Sequence, residues 1–64
     1  MPKYRVALEC RNEGGTDIHC YIVEGKDAGE AGYNATQIAR AHYPEFDEIE
    51  PVRTEVLKIG KEGH

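Results

Sequence analysis

Two stretches of alternating polarity around a glycine pair constrain the fold of this chain more than any other feature. Residues 3–11, KYRVALECR, and residues 17–24, DIHCYIVE, alternate as half-buried strands do, and NEGGT between them is typical of a hairpin turn. The pattern predicts a β-hairpin. On its buried face we expect one set of alternate residues from each strand: Tyr4, Val6, Leu8 and Cys10, then Ile18, Cys20 and Ile22.

A helix is predicted after the hairpin. Asp27 is a candidate N-cap with Glu30 three residues later, and Pro44 disfavours helical geometry from Tyr43 onward. The predicted inner face of the helix follows the 3.6-residue period: Ala28, Ala31, Ala35, Ile38, Ala39 and His42.

A third strand is predicted in IEPVRTEVLKI, residues 49–59, and Pro51 indicates either that this strand is at a sheet edge or that it begins just after Pro51. We expect Val52, Thr54 and Val56 to face the helix. The order strand, strand, helix, strand predicts an α+β fold: a three-stranded antiparallel sheet in the order 2-1-3, with one helix packed on one face.

Length and charge limit the possible functions. The 64 residues are enough for one small domain, whose last residues, 59–64, we expect to fray. A net charge of −4 argues against general binding to phosphate backbones and favours a protein partner. Since the sequence shows neither a signal peptide nor a membrane span, we expect a cytoplasmic protein.

The predicted topology gathers carboxylates at the hairpin-turn end of the sheet, with lysines at the other end. We expect six acidic side chains in this acidic pole: Glu13, Asp17, Glu45, Asp47, Glu48 and Glu50. Because the pole lies near the helix C-terminus, where the helix dipole disfavours negative charge, its acids indicate a binding role. The alternative is a solvated loop that keeps a small protein soluble.

The sheet face away from the helix is a second candidate binding surface. We expect Arg5, Ala7 and Glu9 there, beside Arg53, Glu55 and Leu57. From the second strand we expect His19, Tyr21 and Val23, which with Leu57 would form an apolar strip flanked by Arg5 and Arg53.

Catalytic and metal-binding patterns are not apparent. Cys10 and Cys20 are expected to share the buried face, as two reduced thiols or as a disulfide. The histidines, His19, His42 and His64, are too scattered to complete a zinc site with them. The sequence therefore predicts no cofactor, no metal and no enzyme activity.

Half of the chain, residues 22–56, resembles the small inhibitors of bacterial RNA polymerase made by short-tailed coliphages. The likeness is carried by six positions: Ala35, Ala39, Tyr43, Phe46, Val52 and Arg53. It implies a helix on a three-stranded antiparallel sheet and a partner-binding role for Arg53. In that family, arginines of the last strand and an acidic strip are implicated in binding the polymerase. The second of those arginines lies where this chain has Pro51, and the acidic strip carries over to this chain only by analogy. Other small phage proteins, including some anti-CRISPR proteins, share this architecture, so the resemblance implies a class of binder rather than a target.

We therefore expect a non-enzymatic protein that inhibits or modulates a host nucleic-acid-handling enzyme, such as RNA polymerase, through the acidic pole and Arg53. One alternative is a single-stranded nucleic-acid binder that uses Tyr21, Arg5 and Arg53 on the open sheet face. Another is a structural homodimer.

Overall fold

Residues 1–57 are described by the computed structural model, and they form one antiparallel sheet with one helix. The elements follow the chain as β1 (Lys3–Asn12), β2 (Gly15–Glu24), α1 (Ala28–His42) and β3 (Glu48–Leu57). The sheet order is β2-β1-β3, and α1 packs on one face, so the predicted α+β fold is confirmed. The tail expected to fray, residues 59–64, lies outside the described residues, and so does Lys58.

A two-residue loop, Glu13-Gly14, joins the first two strands, so that Asn12 pairs with Gly15. The Asn12 Oδ1 atom accepts a hydrogen bond from the Gly14 backbone N–H at 2.8 Å, and Gly15 has a φ of +139°, a conformation that favours glycine. This short loop fixes the register of the hairpin.

The register corrects the predicted faces of β2. Leu8 pairs with His19 and Val6 pairs with Tyr21, so the odd-numbered residues of β2 lie on the helix side. Ile18, Cys20 and Ile22 point to the other side and are exposed. The prediction was wrong because both sets of alternate residues in β2 contain apolar side chains. Polarity alone did not decide between them, whereas the loop length does.

The helix begins and ends where the sequence predicted. The Asp27 carboxylate accepts a hydrogen bond from the Glu30 backbone N–H at 2.8 Å, and the Glu30 side chain accepts one from the Lys26 N–H at 2.8 Å. Both bonds satisfy backbone donors at the helix N-terminus. At the other end, Tyr43 forms the C-cap directly before Pro44.

The buried face of the helix is narrower than predicted. It consists of small side chains: Ala31, Gly32, Ala35, Thr36 and Ala39. Ala28, Ile38 and His42, which we expected there, are exposed. The small residues let the helix lie close to the sheet, over the fully buried Val6, Leu8 and Cys10 of β1.

The third strand pairs antiparallel with β1 and carries a bulge. Ala7 pairs with Arg53 but Leu8 pairs with Pro51, which leaves Val52 as the extra residue. Val52 is therefore half exposed instead of facing the helix. Thr54 is half-buried opposite Val6 as expected, while Val56, opposite Tyr4, is also half exposed. Pro51 lies on an edge strand, as predicted.

Candidate functional site: an acidic pole and an open sheet face

The loop between α1 and β3 is tied to the hairpin end of β1 by two hydrogen bonds. The Asp47 backbone N–H donates to the Arg11 carbonyl at 2.8 Å, and the Asn12 side-chain amide donates to the Glu45 carbonyl at 3.3 Å. Asn12 therefore shapes the hairpin turn and also holds the loop beside it. Asn12 was not among the predicted site residues, although an asparagine before a glycine turn is a recognisable turn residue.

These bonds bring the predicted acidic pole together. Glu13, Glu45 and Asp47 line one shallow concavity at the end of the sheet. Asp17 lines a neighbouring concavity with Glu45, and Glu48 lines another with Glu13 and Asp47. The carboxylates of two distant segments are thus spatial neighbours, as predicted. Within residues 1–57, four of them form no ion pair: Glu13, Asp17, Glu45 and Asp47.

Arg11 is the one cation in direct contact with acids of this pole among the described residues. Its guanidinium lies 2.8 Å from the Glu48 carboxylate, 2.5 Å from Glu50 and 3.1 Å from Glu9. Desolvation lowers the pKa of Arg11, but Glu48, Glu9 and Glu50 outweigh it, so the pKa lies above its ordinary value. Arg11 therefore neutralises part of the charge of Glu48 and Glu50. The negative charge that remains is carried by the four carboxylates that form no ion pair within residues 1–57.

An aromatic cluster packs against the loop between α1 and β3. The rings of His19 and Tyr43 stack with centroids 4.4 Å apart, and Phe46 packs edge-on at 6.0 Å from Tyr43 and 6.1 Å from His19. Such pairs stabilise by about 0.5–1.5 kcal/mol beyond the area that they bury. This cluster was not predicted, because His19 was expected on the opposite face of β2.

Tyr21 extends the cluster toward the core, with its ring 6.1 Å from that of His42. Its hydroxyl is buried and, within residues 1–57, has no hydrogen-bond partner of normal geometry. Burial raises the pKa of the Tyr21 phenol, and the adjacent Tyr43 and Cys10 raise it further.

The second candidate surface, the open sheet face, has a different composition from the one predicted. Arg5 and Leu57 lie there as expected, but His19, Tyr21 and Val23 lie on the helix side of the sheet. In their place the face carries Ile18, Cys20 and Ile22. The predicted strip of Tyr21, Val23 and Leu57 does not exist.

Arg53 belongs to the open face and not to the acidic pole. It pairs with Ala7 in the middle of the sheet, and its guanidinium lies 2.6 Å from the Glu55 carboxylate. A shallow concavity at this point is lined by five residues: Arg5, Ala7, Cys20, Arg53 and Glu55. Arg53 therefore lies on the open face, as was predicted for that face, and within residues 1–57 it forms no ion pair with the acids of the pole.

Comparison with known proteins identifies no relative: no family model, no curated protein and no solved structure matches the chain. In the part of the chain that the structure describes, no cluster of three His, Cys, Asp or Glu side chains could hold a metal ion. None of the helical structure in residues 1–57 is both long and apolar enough to cross a membrane.

Proposed function

We propose that this protein is a non-enzymatic binding module whose acidic pole docks on a basic surface of a nucleic-acid-handling enzyme and inhibits or modulates it. One observation carries the proposal. Four carboxylates without ion pairs within residues 1–57, Glu13, Asp17, Glu45 and Asp47, are brought together at one end of the molecule by hydrogen bonds between two segments.

The local structure favours binding by this pole. Asn12 and the aromatic cluster fix the loop beside the hairpin, so little conformational entropy is lost when a partner binds. Clustered carboxylates present negative charge as a phosphate backbone does, and complementary charge accelerates association with a basic surface. A basic groove that holds nucleic acid is therefore the partner surface of matching chemistry.

Bacterial RNA polymerase is the first target to test, because the sequence resembles phage inhibitors of that enzyme. On this proposal the protein acts in the bacterial cytoplasm, where the polymerase works. Arg53, to which the resemblance assigns a binding role, lies on the open face and is assigned to that surface instead.

The alternative of a single-stranded nucleic-acid binder has less support. It depended on Tyr21 as the stacking platform on the open face, and Tyr21 packs against the core on the helix side of the sheet instead. The open face instead offers aliphatic side chains between charges, which provide no planar ring for a base.

Titration calorimetry with purified bacterial RNA polymerase tests the proposal. The pole variant is Glu13→Gln with Glu45→Gln, and the matched control is Glu24→Gln with Glu55→Gln, which removes the same charge elsewhere. We expect the pole variant to bind about tenfold more weakly and the control to stay within about twofold of the wild type. Added salt should weaken the wild type more than the pole variant. Equal losses in both variants, or no binding by the wild type, would contradict the proposal.

A further inference from the structure

The outer edge of β2 is open to the addition of another strand. The sheet order β2-β1-β3 makes β2 and β3 the two edge strands of the described residues. The edge of β3 is interrupted by Pro51 and by the bulge at Val52, two features that hinder strand addition. β2, in contrast, has ten residues in unbroken register with β1 and contains neither a proline nor a bulge. Its central residues 18–23, IHCYIV, include no carboxylate, lysine or arginine.

The hairpin register decides which backbone groups of β2 face outward. A two-residue loop makes Asn12 and Gly15 a hydrogen-bonded pair, and such pairs recur at every second residue. The odd-numbered residues of β2 therefore bond with β1, and the N–H and C=O groups of its even-numbered residues point away from the sheet. The Glu24 carbonyl, one of these outward groups, accepts a hydrogen bond from the Asn34 side chain at 3.1 Å. Four residues within 1–57 keep outward backbone groups without a partner: Thr16, Ile18, Cys20 and Ile22.

We propose that β2 binds an extended segment of a partner protein, which adds to the sheet as a strand antiparallel to β2. The inference rests on the proposed function, because the same segment brings basic side chains to the acidic pole. An antiparallel segment runs toward the hairpin end of β2, where the pole lies, so its basic residues follow its paired residues along the partner chain. The outward groups of β2 supply the hydrogen bonds, and the side chains beside them supply the selectivity.

The open sheet face selects apolar residues at alternate positions of the segment. Ile18 is 57% exposed and Ile22 is 61% exposed, and the exposed Cys20 lies between them. Segment residues opposite these three point to the same face and lie within contact distance of them. β-branched apolar side chains suit these positions. The intervening segment residues lie on the helix side, next to the half-buried His19 and Tyr21.

The charge of β2 selects a basic segment. The two charged residues of β2, Asp17 and Glu24, are both acidic, and Asp17 forms no ion pair within residues 1–57. Asp17 and Glu45 line one concavity together with Thr16, so the free edge leads directly into the acidic pole. A lysine or arginine opposite Asp17 complements this charge. A second copy of this chain does not, because its β2 is equally acidic and its net charge is −4.

Fluorescence anisotropy with the labelled peptide Val-Thr-Val-Thr-Val-Lys-Lys tests the proposal, and we expect a dissociation constant of about 10–100 μM. Cys20→Pro removes an outward N–H and leaves the bonds to β1, so it should weaken binding about tenfold or more. Val56 pairs with Tyr4, whose backbone bonds with β2, so the Val56 N–H points outward from β3. Val56→Pro is therefore the matched control on the other edge and, like Cys20→Ser, should stay within about twofold of the wild type.

Backbone methylation of the peptide gives a second readout that needs no protein variant. In the proposed register the valine N–H groups point toward β2 and the threonine N–H groups point away. N-methylation of the central valine should weaken binding about tenfold or more, and N-methylation of either threonine should change it less than about threefold. Replacing the two lysines by glutamates should weaken binding about tenfold, and Asp17→Asn should weaken binding of the original peptide about threefold.

The proposal is overturned if the wild type does not bind the peptide, or if methylated valine and methylated threonine have equal effects. Unchanged peptide binding by Cys20→Pro, shown to be folded by circular dichroism, overturns it as well. So does a protein mass that doubles with concentration in sedimentation equilibrium and returns to the monomer in Cys20→Pro, because a second copy then occupies the edge.

Calorimetry with RNA polymerase separates this inference from the proposed function. A polymerase affinity that Cys20→Pro leaves unchanged, while Glu13→Gln with Glu45→Gln lowers it, overturns the role of the edge and supports that of the pole. Binding of the peptide as expected, with no binding of the polymerase, supports the edge and contradicts the proposed function.

Discussion

Cys10 and Cys20 lie on opposite faces of one sheet. Cys10 pairs with Asp17 and is fully buried under the helix, whereas Cys20 pairs with Ala7 and is exposed on the open face. The expectation that both thiols share the core was wrong, because the two-residue hairpin loop pairs even-numbered residues of β1 with odd-numbered residues of β2. A disulfide between these cysteines would require one side chain to pass through the sheet.

The two thiols should therefore differ sharply in reactivity toward an aromatic disulfide reagent at low protein concentration. We expect Cys20 to react at once and Cys10 to react at least about a hundredfold more slowly, because its exposure requires opening of the core. Burial, and then the Asp17 carboxylate, raise the pKa of the Cys10 thiol, which lowers its reactivity further. Cys20→Ser should abolish the fast phase and Cys10→Ser should retain it. Two fast thiols would contradict the register of β2.

Replacing Tyr21 with Phe should cost no stability near neutral pH, and should add up to about 1 kcal/mol, because no group of residues 1–57 forms a hydrogen bond of normal geometry with the buried hydroxyl. The pKa of Tyr21 is raised, so the folded state disfavours the phenolate. Stability should fall as pH rises from the ordinary tyrosine value of about 10 toward the raised pKa.

Urea unfolding at neutral pH and above about pH 10 measures both effects. Tyr21→Phe should lose less stability at alkaline pH than the wild type does. The control is Tyr33→Phe, since Tyr33 is 65% exposed on the helix, and its alkaline loss should match that of the wild type. An equal loss in the Tyr21→Phe variant would show that Tyr21 is not the titrating group.

Arg11→Gln should destabilise the fold at low salt, because it leaves Glu9, Glu48 and Glu50 close together without a shared cation. Salt screens the repulsion, so the difference from the wild type should shrink as sodium chloride is added. Arg53→Gln is the control: its guanidinium contacts Glu55 alone among the described residues and is 73% exposed. It should change stability less than Arg11→Gln does. A salt-independent loss would mean that Arg11 contributes by packing and not by charge.

Two glycine-to-alanine substitutions should have opposite effects. A Cβ atom at Gly25 would lie 2.8 Å from the Ala31 backbone nitrogen, so Gly25→Ala should destabilise by about 1–3 kcal/mol. At Gly32 the nearest atom is Pro51 Cγ at 3.5 Å, an ordinary contact, and alanine is the better helix former. Gly32→Ala should therefore stabilise by up to about 1 kcal/mol. Thermal unfolding measures both effects: a stabilising Gly25→Ala would contradict the close approach at Gly25, and a destabilising Gly32→Ala would contradict the ordinary contact at Gly32.

The helix shows how much of the fold local sequence predicted. Asp27 and Glu30 satisfy backbone donors only a few residues away, and Pro44 blocks continuation, so both ends were predictable without knowledge of the rest of the molecule. The inner face was less predictable. Alanine and glycine differ little in hydrophobicity from the residues on the other faces of the helix, so they mark the inner face weakly. Thr36 is accepted in the core because its hydroxyl donates to the Gly32 carbonyl at 2.8 Å.

The candidate sites depended on long-range pairing. The order of the elements places the carboxylates at one end of the sheet, and this was predicted from the sequence. That Arg11 holds Glu48 and Glu50, and that Asn12 holds the loop at Glu45, depends on contacts between segments more than thirty residues apart. Local patterns contain no signal for such contacts.

The sequence by itself determined the four elements, their order and the end at which the acids gather, because capping, turn residues and polarity patterns act over a few residues. The tertiary structure alone decided which face of β2 is buried, since both faces of that strand are apolar and only pairing across the Glu13-Gly14 loop orients them. Because the buried face of β2 is opposite to the one predicted, His19 and Tyr21 lie on the helix side of the sheet and Ile18, Cys20 and Ile22 are exposed.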